Sequence, residues 1–208
     1  MIYLFDNIDS FTDELFWRSL QVLSPERLEK ITQFRNMRDK KLSAIAYLLL
    51  MYGLKKEYGI VEKVTFAFSG NGKPYLKNFP DIFFNISHCE LGVVCAIADE
   101  EVGIDIEKVE KFEEEVAKYI CNENEYNSLV KSADKALDFC KLWTIKESIL
   151  KYTGEGICVD LKKVLDTFHL NIETICARDQ SYVISVCMKT SVPSLNVVKN
   201  PALHISTE

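Results

Sequence analysis

Positive charge is in short supply in this chain. Its 208 residues carry 25 lysines and arginines against 31 aspartates and glutamates, a net charge of −6. A protein that grips duplex nucleic acid needs the opposite balance, although a local basic cluster remains compatible with a small phosphorylated ligand. Long apolar runs are missing too. The most apolar helical stretch, Ala44 to Met51, is too short to cross a bilayer, so no membrane partner is expected. The opening residues, Met1-Ile2-Tyr3-Leu4-Phe5-Asp6, lack the positive region of a secretory signal. The cysteines Cys89, Cys95, Cys121, Cys140, Cys158, Cys176 and Cys187 form no Cys-x-x-Cys pair. That argues against a zinc site or a disulfide frame, and for reduced thiols in a cytoplasmic protein. There is no low-complexity segment and no repeat at the residue level. Hydrophobic residues make up 48% of the chain, enough for a sizeable core in one domain or two small lobes.

What is present centres on Val102-Gly103-Ile104-Asp105-Ile106-Glu107. Isoleucines alternate with acids, the period-2 pattern of a half-buried strand, which puts Asp105 and Glu107 on one side. Two carboxylates held that close repel each other. A hard cation between them relieves the repulsion, since Mg²⁺ is often held by one or two carboxylates plus substrate phosphates. The competing reading is a solvated strand face ending in a charged turn.

Around this stretch the chain alternates strands and helices. Ile2 to Phe5 predicts a strand, and Phe11 to Leu23 a helix or a turn and a helix. Ser24-Pro25-Glu26-Arg27 predicts a helix start with serine as N-cap and proline in the first turn. Arg35, Arg38, Lys40 and Lys41 crowd the approach to a helix expected over Leu42 to Tyr58 and stopped by Gly59. Cations there oppose the helix dipole, so a bound anion would remove a local cost; a solvated helix start is the plainer alternative. Val64 to Phe68 reads as a strand and Ser69-Gly70-Asn71-Gly72-Lys73-Pro74 as a turn. Phe83 to Cys89, Leu91 to Ala98 and Val102 to Glu107, with short links, predict a three-stranded antiparallel meander. Ser87 and His88 would then end one strand beside the sheet that carries the two acids. Val109 to Ser132 reads as one or two surface helices, restarting near Asn122. Ala133 to Tyr152 predicts a second strong helix, with Glu147 and Lys151 one turn apart and Gly154 and Gly156 beyond its end. Val159-Asp160-Leu161 opens a last region, with strands over Phe168 to Ile175 and Tyr182 to Met188. Ser194 to Glu208 reads as a strand or a tail.

Four motifs stand in a specific order: Gly72-Lys73-Pro74, Phe84-Asn85-Ile86-Ser87-His88, Gly103-Ile104-Asp105-Ile106-Glu107, and Trp143-Thr144-Ile145-Lys146-Glu147-Ser148-Ile149-Leu150-Lys151. Together the chain resembles the 4′-phosphopantetheinyl transferases of the surfactin-synthetase-activating type, from Leu23-Ser24-Pro25-Glu26-Arg27 to the Tyr182 strand. The resemblance implies an α/β (α+β) fold of two pseudo-symmetric halves, residues 1–101 and 102–208. Each would be a small, mainly antiparallel sheet packed with helices, with the active site in the cleft between them. It implies transfer of phosphopantetheine from coenzyme A to a serine of an apo acyl or peptidyl carrier protein, releasing 3′,5′-ADP, with Mg²⁺ (or Mn²⁺) as cofactor and the protein a monomer. By the same resemblance Asp105, Glu107 and Glu147 hold the metal, and Glu147 is the candidate base. Lys151 holds a phosphate oxygen, and Lys73, Ser87 and His88 meet the adenosine phosphates. Pro74 borders the adenine, and Arg38 and Lys41 fall near the 3′-phosphate. Trp143 reads as a core anchor and Cys89 as packing. Two rivals use the same residues: a metal-dependent phosphodiesterase or nucleotidyl transferase, and a non-catalytic relative that binds coenzyme A or a carrier.

Overall fold

The computed structural model describes residues 1–156 and 160–199; the expectations for Cys158, for Val159 and for the chain beyond 199 lie outside these. A first strand, β1 (Ile2–Phe5), leads through a 3₁₀ turn to α1 (Asp13–Ser19), α2 (Pro25–Gln33) and the long α3 (Met37–Tyr58). A small hairpin, β2 (Phe66–Phe68) and β3 (Pro74–Leu76), precedes β4 (Phe83–Cys89), β5 (Gly92–Ala98) and β6 (Val102–Lys108). Then come α4 (Glu114–Ile120), α5 (Glu123–Lys131), α6 (Lys135–Thr153), the single turn α7 (Val164–Thr167), and β7 (Asn171–Cys176), β8 (Tyr182–Met188) and β9 (Leu195–Val197).

The helix ends follow local chemistry. Ser24 caps α2, its hydroxyl accepting from the Arg27 N–H, and Asn122 and Glu125 form a reciprocal capping box on α5. Gly59 and Gly154 close α3 and α6 in the left-handed region, at φ 69° and 73°, where a Cβ would be strained. One start differs from expectation. The α3 helix begins at Met37, because the Asn36 side chain accepts from the Asp39 N–H at 2.7 Å. Arg38, Lys40 and Lys41 therefore lie inside its first turns rather than ahead of it.

The strands form two main sheets, β4-β5-β1-β9 and β6-β8-β7. The expected meander is thus corrected. β4 and β5 pair antiparallel, but β6 leaves them and pairs with β8, Asp105 opposite Ser185. The turn at Asp99–Glu101 carries the chain from one sheet to the other instead of closing a hairpin. β9 returns to the first sheet, parallel to β1.

The result is four layers. Tyr3, Phe5, Val93, Cys95 and Ile97 meet α3 on one face of the first sheet. Ile2, Leu4, Val94 and Ala96 on its other face meet Ile104, Ile106, Ile184 and Val186 of the second sheet. Beyond that sheet lies α6, whose Ile149 and Leu150 join Ala117, Leu129 and Cys187. β5, covered on both faces, is apolar along its whole length rather than alternating. Each such buried aliphatic side chain contributes about 1.5–3 kcal/mol. Among the described residues no helix is long and apolar enough to cross a membrane.

Candidate active site

The odd-numbered residues of β6 face α6, and Gly103 sets how closely. A Cβ there would stand 1.9 Å from the Ser148 carbonyl oxygen and 2.7 Å from the Tyr152 nitrogen, so only glycine lets the helix rest on the strand. That contact brings Asp105 under Glu147 and Lys151. Asp105 is 1% exposed. Its Oδ1 accepts from Lys151 Nζ at 2.5 Å and from Ser87 Oγ at 2.8 Å, and Lys151 Nζ also donates to Ser87 Oγ at 2.8 Å. Among the described residues its buried Oδ2 has no hydrogen-bond partner, nor has the buried Glu147 Oε1. Burial, then the Asp105 charge, raises the Glu147 carboxyl, against the pull of Lys151. Glu107 is pushed up to about 7 by burial and by Asp105, with Lys151 and a hydrogen bond from Trp143 working the other way.

Three acids and one lysine therefore share a partly dry site that is short of positive charge. Among the described residues no three His, Cys, Asp or Glu side chains already converge as a metal cage. The two orphaned carboxylate oxygens and the raised carboxyls nevertheless suit a hard divalent cation, which takes oxygen ligands.

Beside these acids opens a cavity of about 350 Å³ whose walls come from both sheets' neighbourhoods: Arg27 and Lys30 of α2, the turn Gly72-Lys73-Pro74, Asn85 and His88 of β4, and Glu147 and Lys151 of α6. Arg27 donates to Ser43 Oγ at 3.3 Å and lies against Tyr47 and Phe66, 6.0 and 5.6 Å from their ring centroids. Burial lowers the pKa of Arg27. Lys30 is lowered by burial and then by Arg27, and His88 by burial and then by Lys151 and Lys30. Among the described residues Arg27 and Lys30 make no ion pair, and two such neighbouring cations make this wall a place for an anion.

The expected residues divide. Asp105, Glu147, Lys151 and Ser87 come together, and His88 and Pro74 line the cavity. Lys73 lines it too, but its Nζ donates to the Tyr152 carbonyl at 2.8 Å and pairs with Glu101. Arg38 and Lys41 are not among the cavity's lining residues: Arg38 donates to the Glu90 carbonyl at 2.6 Å, and Lys41 pairs with Asp13 at 2.7 Å. The Cys89 thiol is pushed up by burial, as packing requires. Trp143 is only half-buried and also reaches Glu107, a second role beside anchoring.

Two features of the site are not among the sequence expectations. Arg27 and Lys30 are spaced i, i+3 on one face of α2, a signal available once Ser24-Pro25 marked that helix. Lys146 is wholly buried and donates to the Ile120 carbonyl at 3.0 Å, the Leu161 carbonyl at 2.8 Å and Glu125 at 2.7 Å. Its only hint was position: Ile149 and Leu150 share its side of α6.

Residues 11–101 match the family described as 4′-phosphopantetheinyl transferase, N-terminal, and residues 101–197 match the 4′-phosphopantetheinyl transferase superfamily. A 4′-phosphopantetheinyl transferase of Bacillus subtilis is 32% identical over 187 residues, covering 82% of this chain and 84% of the relative. One from Aneurinibacillus migulanus is 36% identical over 142 residues, 67% of this chain and 59% of the relative. The L-aminoadipate-semialdehyde dehydrogenase-phosphopantetheinyl transferase of Saccharomyces cerevisiae is 31% identical over 168 residues, 75% and 61%. With both parts of the chain matched and 84% of the first of these relatives covered at 32% identity, the chain belongs to the 4′-phosphopantetheinyl transferase family.

Proposed function

We propose that this protein moves the 4′-phosphopantetheine group of coenzyme A onto a serine of an apo acyl or peptidyl carrier protein. One observation carries the reading. A cavity lined by Arg27, Lys30 and Lys151 also has Glu147 in its wall, and beside it two buried carboxylate oxygens, Asp105 Oδ2 and Glu147 Oε1, have no hydrogen-bond partner among the described residues. The anionic 3′,5′-ADP portion would lie along Arg27, Lys30 and His88, bordered by Gly72 and Pro74. We assign its phosphates to Arg27 and Lys30 rather than to Arg38 and Lys41, because those two have partners elsewhere. On this reading residues 1–101 supply the anion-binding wall and residues 102–208 supply the acids, with β9 alone returning to the first sheet.

Phosphoryl transfer asks for in-line positioning and charge neutralisation more than for covalent help. The serine oxygen forms a bond to the phosphorus bearing pantetheine. The bridging P–O bond breaks and its electrons leave with 3′,5′-ADP. The serine proton needs an acceptor, and the carboxylate of Glu147, a residue that lines the cavity, is the candidate. Lys151, one turn further on, can leave Asp105 for a phosphate oxygen as charge grows on the leaving group. Asp105, Glu107 and Glu147 would hold Mg²⁺ or Mn²⁺, which supplies charge neutralisation at the diphosphate. Free cysteines among the described residues support a cytoplasmic setting.

The test is to incubate the protein with coenzyme A, Mg²⁺ and apo carriers of fatty-acid, polyketide and nonribosomal-peptide type. A gain of the phosphopantetheine mass on one serine is expected. Hydrolysis of coenzyme A without any carrier modification would favour the phosphodiesterase reading instead.

A further inference from the structure

The Gly72-Lys73-Pro74 turn and the end of α6 lie far apart in sequence, yet they meet without a gap. A Cβ built on Gly154 would stand 3.3 Å from Cβ and Cδ of Lys73, so the lysine stem runs along the residue that closes α6. Its Nζ donates at 2.8 Å to the carbonyl of Tyr152, one of the groups a helix leaves unsatisfied in its last turn. It lies 5.9 Å from the Tyr152 ring centroid and pairs with Glu101, the residue before β6. A cation at a helix C-terminus is favoured by the dipole. The Lys73 side chain is only 15% exposed, and although it lines the cavity its Nζ is engaged by the Tyr152 carbonyl and by Glu101.

We infer that Lys73 is a positioning residue. With Glu101 it clamps the cavity wall to the last turn of α6 and to the start of β6, so that the wall assigned to coenzyme A and the elements that carry Asp105, Glu147 and Lys151 keep one spacing. The inference rests on the transferase reading only for what is being positioned. A lysine that served solely as a phosphate contact would be held back by Glu101, and losing that acid would improve binding. A clamp lysine needs the acid.

Lys73→Met, Glu101→Gln and the double variant separate the two roles, read by kcat, by KM for coenzyme A, and by amide hydrogen exchange in the last turn of α6, where the Gly154 N–H donates to the Leu150 carbonyl at 2.9 Å. Glu101→Gln is expected to lower kcat about three- to fivefold with KM within about twofold, the scale of a partly exposed ion pair, and to speed exchange at that turn. Lys73→Met does both more strongly, and the double variant matches it because the two residues act as one unit. A lower KM for coenzyme A in Glu101→Gln with exchange unchanged would overturn the inference, as would effects that simply add in the double variant. If the parent protein modifies no carrier, the transferase reading fails, while the exchange result still decides whether the clamp exists. If Lys73→Met does not fold, Glu101→Gln decides alone by the same two readouts.

Discussion

Two long helices each cover a sheet in this protein, and they do so in opposite ways. α3 buries almost only apolar residues, among them Ile45, Leu48, Leu49 and Leu50, and the small residue at its closest approach is its own: a Cβ on Gly53 would meet Ile97 Cδ1 and the edge of the Tyr3 ring, 2.4 and 2.7 Å away. α6 buries Thr144, Lys146 and Ser148 completely, and its closest approach is made by a glycine of the strand, Gly103, against helix backbone. Thr144 Oγ1 and Ser185 Oγ share a hydrogen bond of 2.8 Å beneath it. The first helix is scaffold, held by dispersion and transfer energy. The second is held by polar contacts that fix rotation as well as distance, which is what a helix bearing Glu147 and Lys151 over Asp105 requires.

The contrast can be broken most forcefully at Lys146. Lys146→Met strands Glu125 and two backbone carbonyls, and removing one partner of a buried pair costs about 3–5 kcal/mol. Denaturant unfolding should show a loss of that order; a near-neutral result would mean the lysine does not hold α6 to the α4–α5 junction. Next come the acids. Asp105→Ala and Glu147→Ala should each lower turnover by roughly two orders of magnitude or more, as when a positioned electrostatic group is lost, while far-UV circular dichroism stays unchanged. Near-normal rates in both would move the chemistry elsewhere.

The two glycines sharpen the contrast further. Gly103→Ala meets backbone that cannot step aside and should destabilise by at least about 1–3 kcal/mol, a fall in Tm of about 2–4 °C per kcal/mol for a chain of this size. Gly53→Ala meets side-chain atoms, Ile97 Cδ1 and the edge of the Tyr3 ring, rather than backbone, so its fall in Tm should be the smaller. Equal losses would erase the distinction.

His88 gives the subtlest effect. Its pKa is lowered in the folded state, so it stays neutral where an unfolded-chain histidine begins to protonate. The stability tied to it is present above the ordinary histidine range and is lost as pH falls through that range and below. A bound polyanion should raise its pKa, visible as a shifted NMR titration of the imidazole on adding coenzyme A. An unmoved titration at saturation would exclude His88 from the anion wall.

Much of this was legible in the chain. The Gly-Ile-Asp-Ile-Glu alternation located a strand with both acids on one side, and Glu147, Lys151 and Gly154 fell where a helix of period 3.6 puts them. What stayed hidden was partnership. Alternation says which way a side chain points but not which strand lies alongside; the short link suggests β5 as the neighbour of β6, whereas its partner, β8, comes far later in sequence. Charge density at Arg38 and Lys41 likewise gave no direction. Both turn to Glu90 and Asp13, while the less conspicuous Arg27 and Lys30 face the cavity. A lysine read from sequence is a surface residue by default, and only tertiary packing made Lys146 an internal one.

The most direct measurement is the intact mass of an apo carrier protein after incubation with coenzyme A, Mg²⁺ and either this protein or its Glu147→Ala variant. The account predicts one added phosphopantetheine with the former and almost none with the folded variant. Equal modification by both proteins, or none by the former across all carrier types, would contradict it.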